Sequence, residues 1–257
     1  MAQRDRHKQG MRDAANEAER AFHDAMQYAV KILMNSFYGV FASGFYRFTH
    51  RDLGSSITAW ARHNIKAVIA DLEDQGHPVV YSDTDSIFVK SPIEADVPGA
   101  VPSQARKDAE EGDAEAKLTV ERWDAAKDAM VAFGLDLAER YSRDAAVLEF
   151  EKGLSVFFSH GAKKRYVGQV VWPKEDMLIR GYETQRTDSF AFLVESMHTV
   201  MEHALADEGE ALVAYALEQV TALKTQQVEA DRLIMAKSCK GKVRRDGTVD
   251  FLSLIHI

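Results

Sequence analysis

The 257-residue chain has one cysteine, Cys239. A lone thiol excludes an internal disulfide and cannot by itself complete a zinc site; a reducing compartment is its natural setting. No apolar run approaches the length of a membrane span, and the start, Met1-Ala2-Gln3-Arg4-Asp5-Arg6, has no signal-peptide core. Internal repeats and low-complexity tracts are absent as well. So is any excess of basic charge: the net charge is −8 and the pI is near 5.6, which argues naively against a nucleic-acid partner. The distribution weakens that argument. Residues 94–151 hold 15 acidic and 7 basic side chains, and the rest of the chain balances at 25 of each sign. Local patches, not overall charge, decide the partner.

What is present is the composition of a soluble globular protein, 46% hydrophobic and 28% charged, with enough length for one large domain or two small ones. Residues 1–9 are helix-compatible, with a stop near Gly10. A second helix is predicted from about Asp13, as N-cap, to about Phe37, with Ala14, Ala18, Ala21, Ala25, Tyr28 and Ile32 as its packing stripe. Gly39 and Gly44 interrupt it, and Phe41, Phe45, Tyr46 and Phe48 read as a connection buried in the core. Residues 52–75 form a long amphipathic helix, closed by Gly76 and Pro78. Acidic helices at about 103–117 and 119–143 present solvated faces. Strands are predicted at 147–151, 155–159, 165–172 and 177–179, and helices at about 188–207, 209–225 and 227–236. Hairpins without regular βαβ units indicate an α+β fold.

Two stretches carry chemistry. Val79-Val80 and Ile87-Phe88-Val89 flank Tyr81-Ser82-Asp83-Thr84-Asp85-Ser86, so two carboxylates sit at the turn of a hairpin. Such a pair suits a hard divalent cation that keeps phosphate oxygens in its shell; an Asx-rich surface turn is the alternative. Upstream, Lys31, Asn35 and Tyr38 share one helical face, and Arg4 and Lys8 repeat the one-turn spacing in the preceding helix. Paired as a hairpin, the two helices bring four polar donors toward one polyanion such as a triphosphate. Scattered solvated charge is the competing reading.

Lys31-Ile32-Leu33-Met34-Asn35-Ser36-Phe37-Tyr38-Gly39, followed by Tyr81-Ser82-Asp83-Thr84-Asp85-Ser86, resembles the family B DNA polymerases. Two further blocks agree: Lys163-Lys164-Arg165-Tyr166, preceded by Leu148-Glu149-Phe150-Glu151, and Arg180-Gly181-Tyr182-Glu183-Thr184-Gln185-Arg186-Thr187-Asp188. Order and spacing are the family's over about residues 1–240, most like the bacterial polymerase II and archaeal branch. A metal-dependent glycosyltransferase accounts for Asp83-Thr84-Asp85 but not for residues 31–39 or 163–166.

The resemblance implies a right-hand polymerase: helical-hairpin fingers at 1–39, an antiparallel-sheet palm at 40–187 and a helical thumb at 188–257. It implies triphosphate binding by Arg4, Lys8, Lys31 and Asn35, and Tyr38 beneath the nascent base pair. Asp85 matches the palm aspartate that ligates both catalytic Mg2+ ions, Asp83 a less direct neighbour, and Glu151 a third carboxylate, with Glu149 the second choice. Lys163, Lys164, Arg165 and Tyr166 match a motif on the primer-terminal duplex, and Lys237, Lys240, Lys242, Arg244 and Arg245 form a second basic cluster or a solvated tail. The implied partners are primer-template DNA, dNTP and, in a full-length protein, a sliding clamp, in the cytoplasm at the nucleoid. One further metal-ligating aspartate of the family, on a strand before the fingers, and its exonuclease have no counterpart here. The chain therefore reads as a fragment whose last few residues are foreign to it, inactive in isolation. The rival to an enzyme fragment is a non-catalytic remnant that binds primer-template DNA. Residues 40–92 and 144–187 are expected to share one antiparallel sheet, with Glu151 facing Asp85.

Overall fold

The computed structural model describes residues 2–94, 100–142, 146–186, 188–236, 241–243 and 249–251. It is an α+β protein of two compact units, residues 1–90 and 91–257.

The first unit begins with two antiparallel helices, α1 (Ala2–Asp13) and α2 (Glu17–Ala42). α1 does not stop at Gly10. That glycine instead admits the ring of His23, which lies 2.6 Å from where a Cβ would stand. The N-cap of α2 is Asn16 rather than Asp13: its side chain accepts from the Glu19 amide at 2.9 Å, and Glu19 Oε2 accepts from the Ala15 amide at 3.0 Å. This is a variant of the reciprocal capping box, and it outcompetes Asp13, whose carboxylate is occupied by Gln9. The predicted alanine stripe is not the packed one. His23, Met26, Gln27, Val30 and Met34 are half-buried, whereas Tyr28 and Ile32 are exposed.

Helix α2 runs through Gly39 and crosses α3 (Arg51–Asp74) where a Cβ on Gly54 would stand 3.1 Å from Ala42, an approach only small residues permit. The connection between them is not core, as Phe45 is 98% exposed and Phe48 73%. It is shaped by the Thr49 hydroxyl donating to the Ser43 and Tyr46 carbonyls, which turns the backbone and leaves the rings outward. α3 ends as the sequence predicts. Gly76 (φ 79°) lets the amides of Gly76 and His77 return to the carbonyls of Glu73 and Leu72 at 3.0 and 2.9 Å. Leu72, with no exposed surface, is the best-buried side chain among the described residues, and its burial contributes about 2 kcal/mol. Strands β1 (Val79–Asp83) and β2 (Ser86–Val89) then form a two-stranded antiparallel ribbon.

In the second unit Asp113 caps α5 (Ala114–Tyr141), accepting from the amides of Glu115 and Ala116. The acidic stretch is therefore divided there, after α4 (Ser103–Glu110), rather than near residue 118. These helices are more than solvated faces. Trp123 is buried, with Arg106 and Lys127 each 5.2 Å from its ring, and Arg106 pairs with Glu175 at 2.7 Å. A three-stranded antiparallel sheet follows in the order β3 (Gly153–Ser159), β4 (Tyr166–Trp172), β5 (Asp176–Arg180). Helix α6 (Ala191–Leu205) lies on it, and Val167, Ile179, Met201 and Leu205 form the core between them. Helix α7 (Gly209–Lys224) packs on α6.

Three expectations are corrected. Residues 147–151 form no strand, because the Ser142 hydroxyl holds both the amide and the carbonyl of Leu148 at the end of α5. Residues 227–236 give only a 3₁₀ turn at Ala230–Leu233, and a short hairpin, β6 (Gly241–Val243) with β7 (Val249–Phe251), follows instead of helix. The ribbon β1–β2 does not join β3–β5 in one sheet: among the described residues each is hydrogen-bonded only within itself. A bulge at Val80 breaks the regular ladder on the β1 side of the ribbon. Lys237, Lys240, Arg244, Arg245 and the last six residues lie outside the described residues, as does the side chain of Lys242.

Candidate functional site

The acidic ribbon is built as its sequence predicts. Asp83 pairs with Ser86, so Thr84 and Asp85 are the two turn residues. The Asp85 amide donates to the Asp83 carbonyl at 2.8 Å around Thr84, whose φ is 61°. This is a three-residue turn of the rare strained kind, held at a β-branched residue that disfavours positive φ. Local hydroxyls brace it: Thr84 Oγ1 donates to Asp83 Oδ1 at 3.1 Å, Ser86 Oγ to the Asp83 carbonyl at 3.0 Å, and Ser82 Oγ to the Ser86 carbonyl at 3.1 Å. Below the turn, Tyr81 and Phe88 pack edge to face at 5.7 Å. Asp83 is half-buried and Asp85 exposed. The result is a stiff pedestal that presents one carboxylate to solvent and supports a second beside it.

On the helical hairpin, Arg4 Nε meets Gln27 Oε1 at 3.5 Å and His7 meets His23, which fixes the level of each donor. Lys31 stands one turn past Gln27, about 6 Å along the axis; Asn35 stands about 12 Å along, and Lys8 one turn the other way. Arg4 and Lys31 are therefore close neighbours, whereas Lys8 and Asn35 mark the ends of an array about 18 Å long. Lys31, Asn35 and Tyr38 are all exposed on one face of α2. Helical spacing carries the alignment, but level along the hairpin depends on pairing that no single-helix pattern reveals.

The basic block is a tight turn. Arg165 donates its amide to the Ala162 carbonyl at 3.2 Å, Lys164 has φ 64°, and Lys163, Lys164 and Arg165 are exposed. Tyr166 differs from its neighbours. It is 6% exposed, with its ring 5.8 Å from that of Phe157, so it anchors the turn to the sheet rather than lining the surface. The turn abuts the fourth block, because Tyr166 pairs with Arg180 across β4 and β5. Gly181 (φ 74°) packs so closely that a Cβ would stand 2.0 Å from the Lys164 carbonyl oxygen. Gly181→Ala is therefore expected to combine backbone strain with a backbone clash and lower stability by roughly 2–4 kcal/mol, read by urea denaturation. Beyond it, Arg186 donates to both Asp188 oxygens at 2.9 and 3.2 Å, and that carboxylate raises the guanidinium above its usual value. Arg186 is thus a cation at every working pH. Glu149 and Glu151 are exposed, alternating with half-buried Leu148 and Phe150, whose ring stacks on Trp172 at 4.8 Å. Among the described residues, no three His, Cys, Asp or Glu side chains come together as a metal site.

Residues 1–101, which include the helical hairpin and the acidic ribbon, match the family described as DNA polymerase family B. The chain is 32% identical to "DNA polymerase II" of Escherichia coli over 181 residues, 67% of this chain and 21% of that protein. The chain belongs to DNA polymerase family B. Longer matches run to "DNA polymerase" of Thermococcus gorgonarius, 27% identical over 91% of this chain, and "DNA polymerase 2" of Aeropyrum pernix, 29% identical over 84%. The chain spans about a quarter or less of the length of these relatives, 27% and 22% for the two archaeal proteins.

Within this family B chain, the contact between Gly181 and Lys164 is what the sequence reading missed. It joins two blocks that are separate in sequence, and the only trace of it is a glycine directly after a strand. The second missed element is the Arg106–Trp123–Lys127 stack. Its sole signal was a tryptophan flanked by charge at helical spacing.

Proposed function

We propose that this chain carries the nucleotide-binding and part of the metal-binding machinery of a template-directed DNA polymerase, which joins a dNTP to a primer 3′-hydroxyl. The observation that carries this reading is the stiff Asp83-Thr84-Asp85 turn, with Asp85 exposed, in the same family-matched segment as Arg4 and Lys31. In this proposal residues 1–39 are fingers, 40–187 palm and 188–257 thumb.

Both donors at the turn are carboxylate oxygens, which fit a hard ion such as Mg2+ that also keeps water and phosphate oxygens. Asp85 would hold two such ions, with Asp83 beside it and Glu151, or else Glu149, as a further carboxylate. When bound, the pair neutralises phosphate charge and favours the ionised primer hydroxyl. The side chains do the rest by positioning and charge. Lys31 and Arg4 hold the triphosphate, while Lys8 and Asn35 extend that grip along the hairpin. Tyr38 supports the nascent base pair. Lys163, Lys164 and Arg165 grip primer-template phosphates, and Tyr166 fixes their turn.

Binding to primer-template DNA tests this reading. Lys163→Ala/Lys164→Ala/Arg165→Ala is expected to weaken binding and to flatten the plot of log affinity against log salt by about 0.9 for each lost phosphate contact. Unchanged affinity and slope in the triple variant would make the block solvated surface.

A further inference from the structure

The α1–α2 hairpin holds a pair of side chains that the proposed nucleotide site does not include. His7 and His23, one on each helix, approach with their Nδ1 atoms 3.1 Å apart. Both are half-buried, and both rings are fixed by packing. His23 occupies the notch that Gly10 leaves open, and Phe22 sets its edge against His7 at 6.4 Å and against His23 at 5.4 Å. Two neutral imidazoles held this way have two uses for their facing nitrogens. One is a single hydrogen bond, which leaves one ring protonated on Nδ1 as donor. The other is shared ligation with both protons on Nε2.

We propose that His7 and His23 chelate a divalent late first-row transition ion, of which Zn2+ and Ni2+ are the probes, and that the ion staples α1 to α2. Imidazole nitrogen is a preferred donor for these ions. With metal–nitrogen distances of about 2.0–2.1 Å, an ion equidistant from two atoms 3.1 Å apart subtends an angle of about 100° between them. That angle lies between the tetrahedral and the octahedral values, so the spacing of the two nitrogens suits one shared ion. Among the described residues no third His, Cys, Asp or Glu joins the pair, so water fills the remaining positions. The site is therefore a loadable clamp rather than a closed structural centre. It rests on the geometry of the hairpin and does not depend on the polymerase reading.

The test is titration of the 257-residue chain with NiCl2 or ZnCl2, followed by calorimetry and by the thermal midpoint. One equivalent is expected to bind and to raise the midpoint; EDTA should reverse the effect, and Mg2+, a hard ion, should neither bind there nor compete. Loss of one of two tethered ligands forfeits the chelate advantage, so His7→Ala and His23→Ala should each weaken binding by roughly 10²-fold, while His63→Ala should not. In the unmodified chain, Cu2+ should broaden the ring resonances of His7 and His23 before those of any other histidine. Absence of saturable binding overturns the proposal. So does binding that survives in both folded variants, or broadening that begins at other histidines.

Discussion

Asp85→Asn should reduce nucleotide incorporation by on the order of 10³-fold or more when the segment works within a complete polymerase chain. The substitution keeps the shape of the side chain and removes its charge. At a site built to place charge against a reacting phosphate, that loss falls on the transition state, so kcat and kcat/KM should fall together. The fold should survive. Asp85 is exposed, and the bond it contributes to the turn comes from its backbone amide, which Asn retains. Surface substitutions of this kind shift stability by about 0.5 kcal/mol or less, so an unchanged thermal midpoint beside a lost rate would separate chemistry from folding. Asp83→Asn is the informative contrast. Its carboxylate is half-buried and accepts the Thr84 hydroxyl, so this variant should lose stability as well as rate.

The 257-residue chain by itself should extend no primer. Two-metal phosphoryl transfer takes carboxylates from more than one strand to fix the ions on either side of the reacting phosphorus. In the proposed site the two aspartates, Asp83 and Asp85, come from the single turn of one ribbon. Joining the segment to the upstream portion of a family relative should restore Mg2+-dependent extension. Robust extension by the 257-residue chain alone, lost in Asp85→Asn, would show that the site is already whole.

Local signals were legible where one stretch of chain settles its own structure. The Asp83-Thr84-Asp85 turn, the long helix closed at Gly76 and the antiparallel strands around Gly168 follow from alternation, turn chemistry and a C-terminal glycine. Where two stretches compete for one partner, the sequence misled. Asp13 looked like a cap, but Asn16 with Glu19 caps better, and Gly10 looked like a stop although it is a notch for His23. The aromatic connection looked like core because hydrophobicity does not say which way a ring points. The Thr49 bonds that turn Phe45 and Phe48 outward are a tertiary fact. The candidate site residues of α2 were legible as a shared face: Lys31, Asn35 and Tyr38 are exposed together on it. Their reach was not, because the level of Arg4 and Lys8 against α2 is set by pairing across the hairpin. Tyr166 shows the same limit, since a tyrosine after three basic residues reads as surface until its burial is seen.

The most direct test of the nucleotidyl-transfer assignment is addition of a single correct nucleotide to a primed template in Mg2+, by the completed chain and by its Asp85→Asn form at matched DNA occupancy. Incorporation by the first and none by the second, with equal affinity for primer-template DNA, is the predicted result. Equal incorporation by both would contradict the assignment of Asp85. A folded completed chain that binds the primed template yet adds nothing would instead identify the segment as a non-catalytic DNA-binding one.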